Sequence, residues 1–452
     1  MRGVRRGFVS LIVLGALAAG LAVVMPPAGA SVFTVVNNAD SGTGSLRQAF
    51  DDAEAAAGDD TIVVVSGIGT ITLTSGAVNH VPAVAANLTL QGNGVTIDAN
   101  GSGGIIANNT PSLSLDGVTI TGGTGSAVGI GGGAVFSAAS VTVTNSTITE
   151  NDTSGTGGGG GGVFAEGNLS ITNSSITGNT STDDGGGVHA DGDITVRDST
   201  VSDNDAGGSG GGIDANGSVT VTTSTISGNT VAPSIRRGGG ISAGGNVTVT
   251  RSTVSGNTVD GGSGGGIGSS SAVTITNSTI TGNTADLDGG GIGASGDVTL
   301  VYATVVGSSS AAGANVGTES GLVAFGSVVA SPQGGGANCD LFGSTTSNGY
   351  NFSDDASCGF TGTGDRQNAG DPGLGVLAGN GGPTLTMLPQ AGSPLIDAIP
   401  IAGCQADGAA GITTDQRGVT RPQQGGCDIG AVEVEAPPAP AAPVAAVARF
   451  TG

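Results

Sequence analysis

His189, Asp214 and Ser242 are the residue types of a nucleophilic triad, and they stand 25 and 28 residues apart in a chain that repeats with those steps. Their order argues against a triad. Asp214 falls between the other two, whereas the base must sit between its orienting carboxylate and the nucleophile. The matching positions of the other repeats are Phe136, Phe164, Gly268 and Gly293. Stacked at about 4.8 Å per repeat, these positions form one column on a strand face. The column reads as a glycan-binding strip. Phe136 and Phe164 would be platforms, with His189 and Asp214 beside them. Arg236 and Arg237, in the loop before Ser242, would meet an acidic sugar. An ordinary exposed strand face would carry the same residues.

Carboxylates recur in the loops ahead of the glycine runs: Asp183, Asp184, Asp205, Asp260, Asp286 and Asp288. Held at repeat spacing they would offer oxygen ligands to Ca²⁺, the one cofactor the pattern suggests. A solvated acidic edge is the plainer account. Lyase or glycosidase chemistry needs a strong base or a carboxylate pair fixed in a cleft. The chain has no Lys, and its Asp pairs sit in glycine-rich loops. The residues therefore lean against catalysis and leave a polysaccharide lyase or glycoside hydrolase as the alternative.

The positioning elements follow from an internal repeat. Two or three Gly, an Ile or Val, a β triplet such as Val247-Thr248-Val249, and a segment such as Ser252-Thr253-Val254-Ser255-Gly256-Asn257 recur seven times. The Gly closing its run and the Asn closing the repeat step together by 28, 25, 25, 28 and 26 residues. A unit of three short strands cannot bury its own apolar face, but stacked units can. The expected fold is all-β, a right-handed parallel β-helix with three-strand coils of 25–28 residues. Ile241, Ala243, Val247, Val249 and Val254 should point inward, and Ser242, Thr248 and Thr253 outward. The Asn column should form a hydrogen-bonded ladder. Ser45 followed by Leu46, Ala49, Phe50 and Ala53 predicts a short capping helix at the N-terminal end. Paired Thr columns on the second strand, from Thr142 and Thr144 to Thr274 and Thr276, raise ice binding as a third reading. Arg197 interrupts them.

Composition agrees with this scheme. Of 452 residues 90 are Gly, 16 are Pro and none is Trp. Net charge is −23, which disfavours nucleic acid and anionic membranes as partners. Arg2, Arg5 and Arg6, an apolar run from Phe8 to Met25, and Ala28-Gly29-Ala30 read as an export signal cut after Ala30. Arg5-Arg6 also fits a twin-arginine signal loosely. No later segment is apolar and long enough to span a bilayer. Cys339, Cys358, Cys404 and Cys427 suggest two disulfides in an exported chain. Sequence-near pairing, 339–358 and 404–427, is the expected arrangement. The expected division is a signal over 1–30, an N-terminal cap over 31–86 and β-helix repeats over 87–335. A disulfide-containing module over 336–435 would continue or cap the helix, and a Pro/Ala-rich tail would occupy 436–452.

Two segments carry a family resemblance. Val32-Phe33-Thr34-Val35, Asp40-Ser41-Gly42 and Gly44-Ser45-Leu46-Arg47-Gln48-Ala49 resemble the CSLREA-type segment of exported bacterial β-helix proteins, with Gly44 and Gln48 in place of its Cys and Glu. The C-terminal part is similar to the choice-of-anchor Q module. The matching residues include Gly381-Gly382-Pro383-Thr384, Thr414-Asp415-Gln416-Arg417-Gly418, Arg421-Pro422 and Cys427-Asp428-Ile429-Gly430-Ala431-Val432-Glu433. The resemblance implies an exported, pectin-lyase-like β-helix and no particular activity. Together these readings predict an extracellular, secreted or surface-associated, non-catalytic protein. Its partner would be an extracellular polysaccharide or cell-surface glycan.

Overall fold

The computed structural model describes residues 29–83, 85–107, 110–125, 131–153, 159–233, 236–406 and 408–436. The expected export signal and the Pro/Ala-rich tail lie outside them, apart from Gly29, Ala30 and Ala436. The described chain is a parallel β-helix with one α-helix near its start.

One coil runs through strands Ile241–Ala243, Val247–Thr250, Thr253–Ser255 and Thr258–Val259. Three of these were expected. The fourth, two residues long, follows the Asn and adds a small sheet. First strands stack into an 11-stranded sheet, second and third strands share a 23-stranded sheet, and the short strands make a 6-stranded one. Coils pair in parallel and in register, as in Ile241↔Ile267, Val249↔Ile275 and Val254↔Ile280. Like therefore stacks on like. The inward residues Ile241, Val247, Val249 and Val254 are buried in one continuous core.

Two polar ladders run inside the corners. Asn204 donates from its backbone N–H (3.1 Å) and from Nδ2 (2.9 Å) to Oδ1 of Asn229, and its Nδ2 also reaches the Ile176 carbonyl at 3.1 Å. The same bonds recur from Asn151 to Asn283. A serine ladder, which the repeat pattern contained but did not reveal, runs in parallel. The Ser199 N–H donates to Ser224 Oγ at 3.1 Å, and that of Ser224 to Ser252 Oγ at 3.1 Å. The glycine runs make room for the Asn ladder. Within each run the Gly two positions before the closing residue turns with positive φ, for example Gly210 at 67°. The closing Gly is needed for close approach, because a Cβ on Gly212 would stand 2.8 Å from the Gly240 carbonyl oxygen and 2.9 Å from Asn229 Cγ.

Both ends are closed. Helix Leu46–Ala55 begins at Ser45, whose hydroxyl accepts from the Gln48 N–H, and buries Leu46, Ala49, Phe50 and Ala53. At the other end, strands Cys339–Leu341, Thr345–Gly349 and Phe352–Ser353 continue the coils. Disulfide Cys339–Cys358 and buried Phe360 then seal the core. The rest of the C-terminal segment departs from a simple end cap. It folds back as an arm along the rod's flank, tied by the second disulfide, Cys404–Cys427. Gln416 is buried and donates from Nε2 to the Ser252 carbonyl, Thr253 Oγ1 and Thr384 Oγ1. Its Oε1 accepts from Thr279 at 2.7 Å. The Asn277 amide bonds to the Thr414 carbonyl, and the Tyr302 hydroxyl to that of Cys404. Thr253, expected on an outer face, does point away from the core, but the arm covers it completely.

Replacing Asn229 with Ala leaves the Asn204 N–H and amide without an acceptor in the interior. Urea denaturation of Asn229→Ala should show a loss on the order of 3 kcal/mol. Thr222→Ala, on the outer face of the same coil, should change stability by no more than about 0.5 kcal/mol. Equal effects would mean that the ladder does not hold the coils.

Candidate functional site

The first-strand column forms as the register predicts, with Phe136↔Phe164↔His189↔Asp214↔Ser242 aligned across five coils. Ring centroids lie 5.5 Å apart for Phe136 and Phe164 and 5.2 Å apart for Phe164 and His189. His189 Nδ1 is 2.8 Å from Asp214 Oδ2, and Nε2 is 3.4 Å from Asp191 Oδ1. Ser242 neighbours Asp214 on the side away from His189, so the imidazole does not stand between carboxylate and hydroxyl.

The expected exposure of this column is wrong. Phe136 (6%), His189 (8%) and Asp214 (6%) are buried, and only Phe164 stays half-exposed. The loops ahead of the glycine runs are the reason. They bond to one another coil on coil and form a ledge over the strands. Gly159 sits against the His189 ring and Gly210 against the Asp214 Cβ, where side chains would collide. Phe136, His189 and Asp214 therefore present no open surface to a sugar. Burial works against charging His189, but Asp214 and Asp191 outweigh it and raise its pKa above the usual value.

The proposed Ca²⁺ ligands do not converge. Among the described residues no three His, Cys, Asp or Glu side chains form a group able to hold a metal. Asp184 accepts from the Ser209 N–H, Asp205 from the Thr230 hydroxyl, and Asp286 from the Gly261 N–H at 2.9 Å. Asp260 and Asp286 share a hydrogen bond across coils, which raises the Asp260 pKa. Asp183 lies half-buried in the same kind of loop. These carboxylates mostly cap backbone and hydroxyl donors.

Asp288 differs. Past Ser242 the column continues Gly268, Gly293, Gly317 and Asp340. Three coils therefore lack an outer side chain on the first strand, and the ledge settles toward them. Arg237 lies over Gly268, its Cβ 2.8 Å from where a Cβ on that glycine would be, and the Asp288 carboxylate lies directly over Gly317. Between ledge and strand a cleft of about 60 Å³ is lined by Arg237, Ser263, Asp288, Gly293, Ala294, Ser295 and Glu319. Arg237 reaches Ser295 Oγ at 3.3 Å and Ser270 Oγ at 3.4 Å. It forms no ion pair among the described residues, although Arg47, Arg417 and Arg421 all do. Arg237 and Arg236 beside it are both exposed. Burial, together with repulsion from Asp340 and Glu319, raises the Asp288 pKa to about 6 despite a 2.7 Å hydrogen bond from the Gly289 N–H. Donors and acceptors thus meet in one opening on the flank. Ser295, Glu319 and Asp340 were not expected there. Following the column beyond Gly293 would have found Asp340, and the unbroken run of glycines was the available signal.

The second-strand Thr columns also stack in register, half-exposed or exposed, with Arg197 between Thr172 and Thr222. No helix of the described residues is long and apolar enough to cross a membrane.

Residues 84–259 match the family model described as "Right handed beta helix region". A search of curated proteins gave no match. One solved structure, described as "Crystal structure of pectate lyase Pel9A", is similar at 16% identity over 89% of this chain and 96% of that one, with a TM-score of 0.43.

Two measurements check the electrostatics. NMR titration of the His189 ring should give a lower midpoint in Asp214→Asn than in the parent protein. Asp288 is stabilising when neutral: with a raised folded-state pKa, its contribution is complete below its ordinary value of 3.8 and is lost as pH rises through about 6. Asp288→Asn should therefore raise the melting temperature at about pH 7.5, with the gain vanishing near pH 4. A gain that persists at the acid end would contradict this assignment.

Proposed function

We propose that this β-helix protein is exported and binds glycans without cleaving them, through the flank that carries the Arg237–Asp288 cleft. The observation that carries the reading is the cleft itself. A guanidinium without a carboxylate partner among the described residues, serine hydroxyls and two carboxyl groups converge on a parallel sheet. Sugar recognition needs such mixed donors and acceptors at fixed positions. With Phe136, His189 and Asp214 under the ledge, the binding strip contracts to Arg236, Arg237, the cleft and the half-exposed Phe164. The export-type N-terminal sequence and the two disulfides support an extracellular setting.

One observation favours a second reading, hydrolysis. A carboxyl group protonated up to about pH 6 is what a general acid requires, and Glu319 shares its cleft. The small opening and the separate placement of the other carboxylates weigh toward binding alone.

A glycan array probed with and without Ca²⁺, with reducing-sugar and unsaturated-product assays run on every hit, tests both readings. The expected result is retention of one or more polysaccharides, unchanged by chelation, weakened at least tenfold by Arg237→Ala, and with no turnover. Turnover abolished by Asp288→Asn would establish the hydrolase instead. Retention unaffected by Arg237→Ala would remove the cleft from the binding face.

A further inference from the structure

The cleft also constrains the charge of what it binds, an inference that rests on the glycan-binding reading. Its volume of about 60 Å³ admits a few waters or a group of that size, not a sugar ring. A chain lying along the flank would therefore insert one short arm. In a hexose polymer the arm that projects from the ring is the C6 group, a hydroxymethyl in a neutral sugar and a carboxylate in a uronic acid. Around the opening stand one cation, Arg237, and two carboxyl groups, Asp288 and Glu319, with Asp340 close enough to repel Asp288. Ser263 and Ser295 complete the polar lining and have hydroxyls to donate or accept. Above the range where Asp288 loses its proton the opening carries more negative than positive charge, and the whole chain carries −23. An inserted carboxylate would face that repulsion with one guanidinium in its favour. A hydroxymethyl group would donate to Asp288 or Glu319 and accept from Arg237.

We propose that the cleft recognises the hydroxymethyl arm of a neutral hexose polymer and rejects the corresponding uronate, with Asp288 and Glu319 as acceptors and Arg237 as donor. The long-range field acts in the same direction, because an acidic rod slows the approach of a polyanion. This reverses the acidic-sugar partner that Arg236 and Arg237 suggest when read without their surroundings.

The test is isothermal titration of the full chain at neutral pH with matched oligosaccharides. α-1,4-Galacturonan fragments against their carboxyl-reduced counterparts and β-1,4-mannuronan against β-1,4-mannan fragments differ within each pair only at C6. In at least one pair the neutral member should bind tenfold or more tighter, with an affinity that does not change with salt. Asp288→Asn combined with Glu319→Gln should narrow the preference by raising uronate affinity, and circular dichroism should show that the double variant is folded. Equal or tighter uronate binding, weakened by salt, would overturn the neutral-sugar inference and leave the glycan-binding reading standing. If no member of either pair binds while the array shows retention of another glycan, the C6 recognition fails and the wider reading survives. If the array is empty as well, both fall.

Discussion

Stacked asparagine amides set the terms for the rest of this molecule. A buried amide has two donors and an acceptor to satisfy, and in water they would be satisfied at no cost. Inside the coil they are satisfied only if the next coil places its own Asn at the same height. Each Oδ1 accepts twice from the preceding coil, and each Nδ2 also holds a carbonyl of the coil before. A shift of one residue would break every rung, so the ladder fixes the register. It also determines composition nearby, since the glycine facing each Asn has no room for a Cβ. The glycine excess is thus a packing requirement as much as a turning one.

Once register is fixed, the outer face follows. Aligned coils put aromatic on aromatic and His189 on Asp214, and they stack the loops into a ledge. Where the outer position holds Phe, His or Asp, the loop glycines fit around it. At Gly268 and Gly317 the Arg237 and Asp288 side chains take that place instead, and at Gly293 the loop backbone at Gly264 does. Arg237 and Asp288 are brought to one cleft by the absence of side chains on the strand beneath them.

The C-terminal arm gives its sequence motifs a structural meaning. Gln416 spends its amide on rod and arm together. Asp415 holds Arg417, and Arg421 pairs with Glu433 at 2.9 Å while lying 4.2 Å from the Tyr302 ring centroid. Burial raises the Glu433 pKa against the pull of Arg421. These are the residues on which the choice-of-anchor resemblance rests, and in this fold they fasten the arm. The rod's own threonines, Thr253, Thr279 and Thr304, supply the other half of that contact.

The repeat alone determined the coil, its inward residues and the Asn ladder, and the spacing of Leu46, Ala49, Phe50 and Ala53 after Ser45 determined the capping helix. Each follows from local periodicity and from the need to bury a period-two apolar face or cap a helix start. The sequence also aligned His189, Asp214 and Ser242 correctly, with Asp214 between the other two. Exposure was another matter. Whether an outward side chain meets water depends on what else folds over it, and neither the ledge nor the returning arm has a periodic signal. That is why Phe136 read as a platform and is buried, and why Thr253 lies beneath residues more than a hundred positions later. It is also why Arg237, Asp288 and Glu319, separated by dozens of residues and by no shared motif, meet only in the folded rod.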